Sequence, residues 1–178
     1  MTKSILFAGF GGQGVLFAGK QMASTGMYLD RHVTWLPSYG PEMRGGTANC
    51  TVNISDSEIG SPIQARPDIL VAMNLPSYLK FIDQVAPGGI LISDSSLISE
   101  KTTRTDIQAY YIPATKIADE NDFKTLANVI ILGHLIAVTG IFKIEEIEAA
   151  MVKSIPASKA ALIELNKKAL KLGYEYKS

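Results

Sequence analysis

The chain has 178 residues, 47% apolar and 19% charged, and its 17 basic and 17 acidic side chains cancel. That balance excludes intrinsic disorder and a strongly basic nucleic-acid surface, and the length predicts one domain over residues 1–178 that buries roughly 70% of its unfolded surface. The single cysteine, Cys50, excludes a disulfide framework and any cluster or structural zinc held by this chain's own thiolates.

Residues 5–8 (ILFA) read as a short buried strand, closed by the turn Gly9-Phe10-Gly11-Gly12-Gln13-Gly14. From Val15 to about Leu29 apolar residues recur at helical spacing, so a helix follows the glycines. Residues 32–36 form a strand stopped by Pro37, and residues 38–47 a loop dense in Gly and Pro. Residues 51–54 alternate into a strand, Ser55-Asp56 turns, and residues 59–63 are expected to return antiparallel. Further strands are expected at 68–73, 90–92 and 109–112, with Pro76 near the start of the helix behind the first. Helices then dominate: 126–139, 144–153 and 157–172, the last preceded by Pro156 and ended by Gly173. Strands alternating with helices predict a three-layer, Rossmann-like α/β domain, its mostly parallel sheet carrying one antiparallel excursion after Pro41.

Residues 125–142 carry no formal charge, which reaches the length of a membrane span. Asn128, His134 and Thr139 interrupt the stretch and no second span exists to pack against it. A helix buried in a protein core is therefore expected, with no membrane partner. The chain enters its first strand without a leader-like apolar run, so a cytoplasmic location is expected.

The glycine turn satisfies G-x-G-x-x-G with a strand before it and a helix after it. Such a turn lets the backbone approach a phosphate closely, and the following helix offers free N–H groups and a positive dipole end. A dinucleotide enzyme also needs an acid for the ribose hydroxyls at the end of the second strand. Here that strand ends Trp35-Leu36-Pro37-Ser38, and Asp30 lies ahead of it, on the wrong side. Two readings remain: a tight connection without a ligand, or a site for a different phosphate group contacting Gly11, Gly12, Gln13 and Gly14. Gln13 either donates to that phosphate or caps its own helix.

Residues 34–49, TWLPSYGPEMRGGTAN, place an acid, a base and an aromatic in one loop shaped by Pro and Gly. With the glycine turn ahead, and ISD at 54–56 through SPI at 61–63 behind, the chain resembles the γ subunit of the 2-oxoacid:ferredoxin oxidoreductases. The wording is most similar to the 2-ketoisovalerate type within a family that also takes pyruvate and 2-oxoglutarate. The resemblance continues through Pro67-Asp68, Pro87-Gly88-Gly89 and the stretch from Asn166 to Gly173. It implies one component of an enzyme that converts a 2-oxoacid and coenzyme A (CoA) into an acyl-CoA and carbon dioxide, with electrons passing to ferredoxin. It also implies that thiamine diphosphate, magnesium and the iron–sulfur clusters belong to partner subunits, with CoA as co-substrate. No catalytic residue and no metal site are then expected on this chain, which alone should be inactive, either as a monomer or paired with itself as a homo-oligomer.

Arg44, flanked by Pro41 and Gly45-Gly46, presents a planar fork suited to a carboxylate or phosphate. It either contacts an anion, on CoA or across an interface, or pairs locally with Glu42. Tyr39, Glu42, Met43, Arg44, Gly45 and Gly46 form the candidate interface. Trp35 and His134 are expected in the core, the histidine with its hydrogen bonds satisfied. His32 is expected to be solvated, Cys50 a buried free thiol, and Lys143, Glu145, Glu146, Glu148 and Lys153 a solvated helix face. A free-standing Rossmann-type nucleotide-binding enzyme and a binding module without turnover are the other two readings.

Overall fold

The β-branched runs assemble into one six-stranded sheet in the order β2-β3-β1-β4-β5-β6. The computed structural model describes residues 2–38, 47–154 and 157–177. Its strands are β1 (Lys3–Phe10), β2 (His32–Ser38), β3 (Thr47–Ser55), β4 (Ile69–Ala72), β5 (Ile90–Asp94) and β6 (Gln108–Ile112). Its helices are α1 (Val15–Tyr28), α2 (Leu75–Phe81), α3 (Ala114–Glu120), α4 (Ala127–Thr139), α5 (Ile144–Ser154) and α6 (Ala160–Glu175).

Strands β1, β4, β5 and β6 run parallel, and β3 is inserted antiparallel between β1 and β2. The expected mostly parallel sheet with one antiparallel excursion is therefore what forms, and the excursion is β3. Residues 59–63 do not return as a strand. Both edges of β3 are already occupied, by β1 and β2, so no ladder position is left for them. They run over the sheet instead, where the Asn53 side chain donates to the Pro62 carbonyl at 2.8 Å.

Alternation along the strands sends side chains to two helical layers. Ile5 and Phe7 of β1, Cys50, Val52 and Ile54 of β3 and Val71 of β4 share one cluster with α1, α4 and α6. Leu6, Ala8, Leu70, Ala72 and Leu91 face the other way, against Tyr78 and Phe81 of α2. Among the described residues that second cluster includes none from β2 or β3, where Leu36 is 43% exposed. Trp35, expected in the core, is 38% exposed, because β2 is the edge strand of the sheet, with α1 packed against it. Its indole N–H is nevertheless turned inward, toward the Cys50 sulfur.

Helix α4 is buried through most of its length, as its uncharged sequence requires. It has 13 residues, and among the described residues no helix is long and apolar enough to cross a membrane. Helix α6 crosses α4 at near backbone contact. A Cβ on Gly133 would land on the Leu170 carbonyl, and one on Gly173 on the Ile130 carbonyl. Gly173 thus does not terminate α6, which continues to Glu175. It is glycine because two helix backbones meet there.

His134 lies beside that crossing, 1% exposed, its ring edge-on to Tyr110 and Tyr176 at centroid separations of 6.0 and 5.5 Å. It is in the core, as expected; neither ring nitrogen makes a hydrogen bond of standard geometry among the described residues, and its polar partner is the Gly173 carbonyl. Burial lowers its pKa below 6.5, opposed in part by the Gly173 carbonyl. The unfolded chain then takes up the proton first as pH falls. Stability should be level above neutral pH and decline below about 6.5, and His134→Leu should flatten that decline. Denaturant titrations across roughly pH 5 to 8 check the slope. In the same assay Gly173→Ala should cost about 3 kcal/mol or more, because neither backbone can move aside cheaply.

Candidate functional site

Strand β1 leads through α1 toward one end of the sheet, and its neighbour β4 leads through α2 toward the other. In an open α/β sheet, the carboxyl ends of two strands that diverge in this way leave a crevice. Here the glycine turn occupies it. Gly12 and Gly14 adopt positive φ of 96° and 73°, and Gly14 serves as the N-cap of α1. No side chain caps α1 and no acidic residue stands in its first turn, so its leading N–H groups have no side-chain partner among the described residues.

Gln13 neither caps the helix nor points away from the protein. Its Oε1 accepts from the Phe10 N–H at 2.6 Å, and its Nε2 donates to the Met73 carbonyl at 2.8 Å. One side-chain amide thus closes the turn on itself and ties it to the end of β4. Asn128, in the first turn of α4, is 4% exposed and donates from Nδ2 to the Gly14 carbonyl at 3.1 Å. A Cβ on Gly14 would strike that amide, so position 14 needs glycine for two reasons, its φ and the close approach of α4. The sequence signalled Asn128 only as a polar interruption in an apolar stretch.

Two hollows flank the turn. One, of about 190 Å³, is lined by Gly12, Gln13, Met73, Leu97, Thr115, Lys124, Thr125 and Ala127. The other, of about 240 Å³, is lined by Phe10, Leu16, Phe17, Ala48 and the turn glycines, and is mostly apolar. Lys124, Thr125 and Thr115 were not singled out from sequence, since nothing local marks residues that meet only through the fold. Below the first hollow, Asp94 is fully buried and accepts from Ser96 N at 3.0 Å and Thr115 Oγ1 at 2.6 Å, fixing the start of α3.

Tyr39, Glu42, Met43, Arg44, Gly45 and Gly46 lie outside the described residues. The ends of that segment are described. Ser38 pairs with Asn49, and Thr47 pairs with Phe10, so the segment leaves and re-enters the sheet at the edge that carries the glycine turn. Cys50 is fully buried, and its thiol donates to the Val15 carbonyl at 3.7 Å. Burial pushes the Cys50 thiol up to about 12, against the Trp35 indole and Gly19 N–H groups that favour the thiolate. It is unsuited to nucleophilic or metal-binding work at neutral pH.

The family profile described as pyruvate ferredoxin/flavodoxin oxidoreductase matches residues 4–176. The chain belongs to that family. It is 40% identical over 174 residues to the ketoisovalerate oxidoreductase subunit VorA of Methanothermobacter thermautotrophicus, covering 97% of this chain but 36% of that protein. It is 37% identical to the 2-oxoglutarate synthase subunit KorC of Methanocaldococcus jannaschii, covering 98% of this chain and 94% of that one. The chain thus spans about a third of one curated relative and nearly all of another. The crystal structure of a keto/oxoacid ferredoxin oxidoreductase γ subunit from Geobacter sulfurreducens superposes with a TM-score of 0.82 at 32% identity, covering 97% and 96% of the two chains.

Within this family fold the Gln13 bridge carries a direct expectation. Gln13→Ala leaves the Phe10 N–H and the Met73 carbonyl without their partner and should cost about 1–2 kcal/mol in chemical denaturation. Amide exchange in the turn should accelerate while the strand interiors stay protected.

Proposed function

We propose that this chain is the γ-type subunit of a 2-oxoacid:ferredoxin oxidoreductase complex and forms the CoA side of its reaction site. The complex converts a 2-oxoacid and CoA to an acyl-CoA and carbon dioxide, and the electrons released pass to ferredoxin. Thiamine diphosphate with magnesium supplies the electron sink for decarboxylation, and iron–sulfur clusters carry the electrons onward. These groups are assigned to partner subunits. The chemistry of this chain's donors agrees, since its single thiol is buried and held protonated.

The observation that carries the CoA assignment is the glycine turn. It places uncapped N–H groups of α1 at the crevice beside β4, a setting that favours phosphate oxygens. Gly11, Gly12, Gln13 and Gly14 supply that surface, with the Gln13 amide serving the turn's shape. Arg44, in the segment that starts and ends beside the turn, supplies a charge-assisted contact. Tyr39, Glu42, Met43, Gly45 and Gly46 of the same segment form the contact with the partner subunit. The half-covered sheet over β2 and β3 supports a docked neighbour on this side. A free-standing nucleotide-binding enzyme is not favoured, given the family and a second strand that ends without a ribose-binding acid.

The purified chain should show no 2-oxoacid-dependent reduction of an artificial acceptor, and adding the thiamine-binding and cluster-binding chains should restore it. Turnover by the chain alone would contradict the proposal. In the assembled enzyme, Arg44→Ala should raise the apparent KM for CoA about tenfold, the loss of one contact worth roughly 1.5 kcal/mol. The first half-reaction, cluster reduction by the oxoacid before acyl transfer, should change much less.

A further inference from the structure

At the end of the sheet away from the glycine turn, four polar residues stand in one row across the strands. Thr34 of β2 pairs with Asn53 of β3, and Asn53 pairs with Ser4 of β1. Asp68, just ahead of β4, completes the row and accepts from the Ser4 N–H at 2.8 Å. Alternation puts Ser4 on the face that carries Leu6, so the row looks toward the second layer rather than toward α1. The connection from β3 to β4 passes over it, and the Asn53 side chain donates to the Pro62 carbonyl there. Between connection and row lies a hollow of about 330 Å³, walled by Thr2, Ser4, Glu58, Ser61, Gln64 and Asp68 among others.

The row has acceptors and lacks a donor for them. Ser4 is 3% exposed and Asn53 is fully buried, yet Ser4 Oγ and Asn53 Oδ1 make no hydrogen bond among the described residues. The orientation of the amide is not in question. Its Nδ2 donates to Thr34 Oγ1 and to the Pro62 carbonyl, both at 2.8 Å, and a carbonyl can only accept. Neither Asp68 nor Glu58 forms an ion pair among the described residues, whereas the nearby Asp56 is held by Arg31 at 2.7 Å. No basic side chain lines the hollow. Buried oxygens without donors are costly, and two carboxylates facing one hollow repel each other. Water alone would serve the first and leave the second unbalanced; a cation serves both.

We propose that this hollow is a binding site for a hard divalent cation, calcium in preference to magnesium. The carboxylates of Asp68 and Glu58 and the Ser4 hydroxyl ligate it, and one of its waters donates to Asn53 Oδ1. The donor set selects the class of ion. Among the described residues no group of three or more His, Cys, Asp and Glu gathers, so a closed nitrogen or sulfur site does not form. Two carboxylates with a hydroxyl oxygen and water suit a hard cation, and the hollow has room for several waters. Ligands drawn from a strand, its neighbour and an exposed connection impose no strict octahedron, which favours calcium. The family resemblance implies no such site. Its role is to tie the β3–β4 connection to the sheet, and it is independent of the CoA reading.

The test is calorimetric titration of the purified chain with calcium chloride and, separately, magnesium chloride. Calcium should bind at one site with a Kd of about 0.1–1 mM, and magnesium several-fold more weakly. At about 10 mM calcium the thermal midpoint should rise by roughly 3–6 °C. Glu58→Gln and Asp68→Asn should each weaken calcium binding about fivefold or more. Ser4→Ala separates a ligand from a merely structural group. It removes a buried hydroxyl that has no partner, so the metal-free midpoint should hold or rise while the calcium-induced shift shrinks. Glu145→Gln, on an exposed acid of α5, is the control and should change nothing. No saturable calcium binding, or wild-type affinity in both Glu58→Gln and Ser4→Ala, would overturn the site. Magnesium binding as tightly as calcium would overturn the assignment of the ion, and an equal loss in Glu145→Gln would show only a general effect of charge.

Discussion

The side-chain amide of Gln13 is the interaction on which the crevice depends. A glycine-rich turn has little intrinsic reason to hold one shape, because glycine loses more conformational freedom on ordering than any other residue. Here an amide with one acceptor and one donor face meets the Phe10 N–H and the Met73 carbonyl, both left over where two parallel strands end. Closing the turn and joining it to β4 are thus one event. The consequence is a helix start held in a fixed place beside β4, its first N–H groups without a side-chain cap.

A second layer of constraint sets where the opposite wall stands. Helix α4 meets α6 through Gly133 and Gly173, so closely that any larger residue would meet a carbonyl oxygen. That contact fixes α4 along its axis as well as across it. Asn128, further up the same helix, is thereby delivered to the Gly14 carbonyl, and Lys124 and Thr125 to the edge of the crevice. His134 sits at the crossing as a neutral ring between two tyrosines. The helical layer far from the crevice therefore positions the residues lining it.

Much of this was legible in the sequence. Buried strands announce themselves by short β-branched runs between glycines and prolines, and the turn at 9–14 declares both its shape and the helix behind it. The antiparallel excursion followed from the loop before β3, although the partner strand was misplaced to 59–63. Hydrophobic alternation says that a segment can pair, not whether an edge is free. Gly173 was read as a helix stop for the same reason: the local grammar of glycine is identical at a terminus and at a helix crossing. Trp35 showed its β propensity but not its place on an edge strand. Lys124, Thr115 and Asn128 had no local signature, because what gives them meaning is a meeting of three segments far apart in the chain. The family resemblance, by contrast, lay in paired motifs and needed no geometry.

The central claim is that this chain meets CoA at the carboxyl edge of its sheet, around the glycine turn. Amide hydrogen exchange of the chain within the assembled enzyme, with and without CoA, tests it most directly. The account predicts slowed exchange on CoA addition over the glycine turn and the first turn of α1, and at the start of α4. The strand ends at the opposite edge, near Lys3 and Ile90, should be unchanged. Protection absent from the turn while CoA is bound, or confined to that opposite edge, would contradict it.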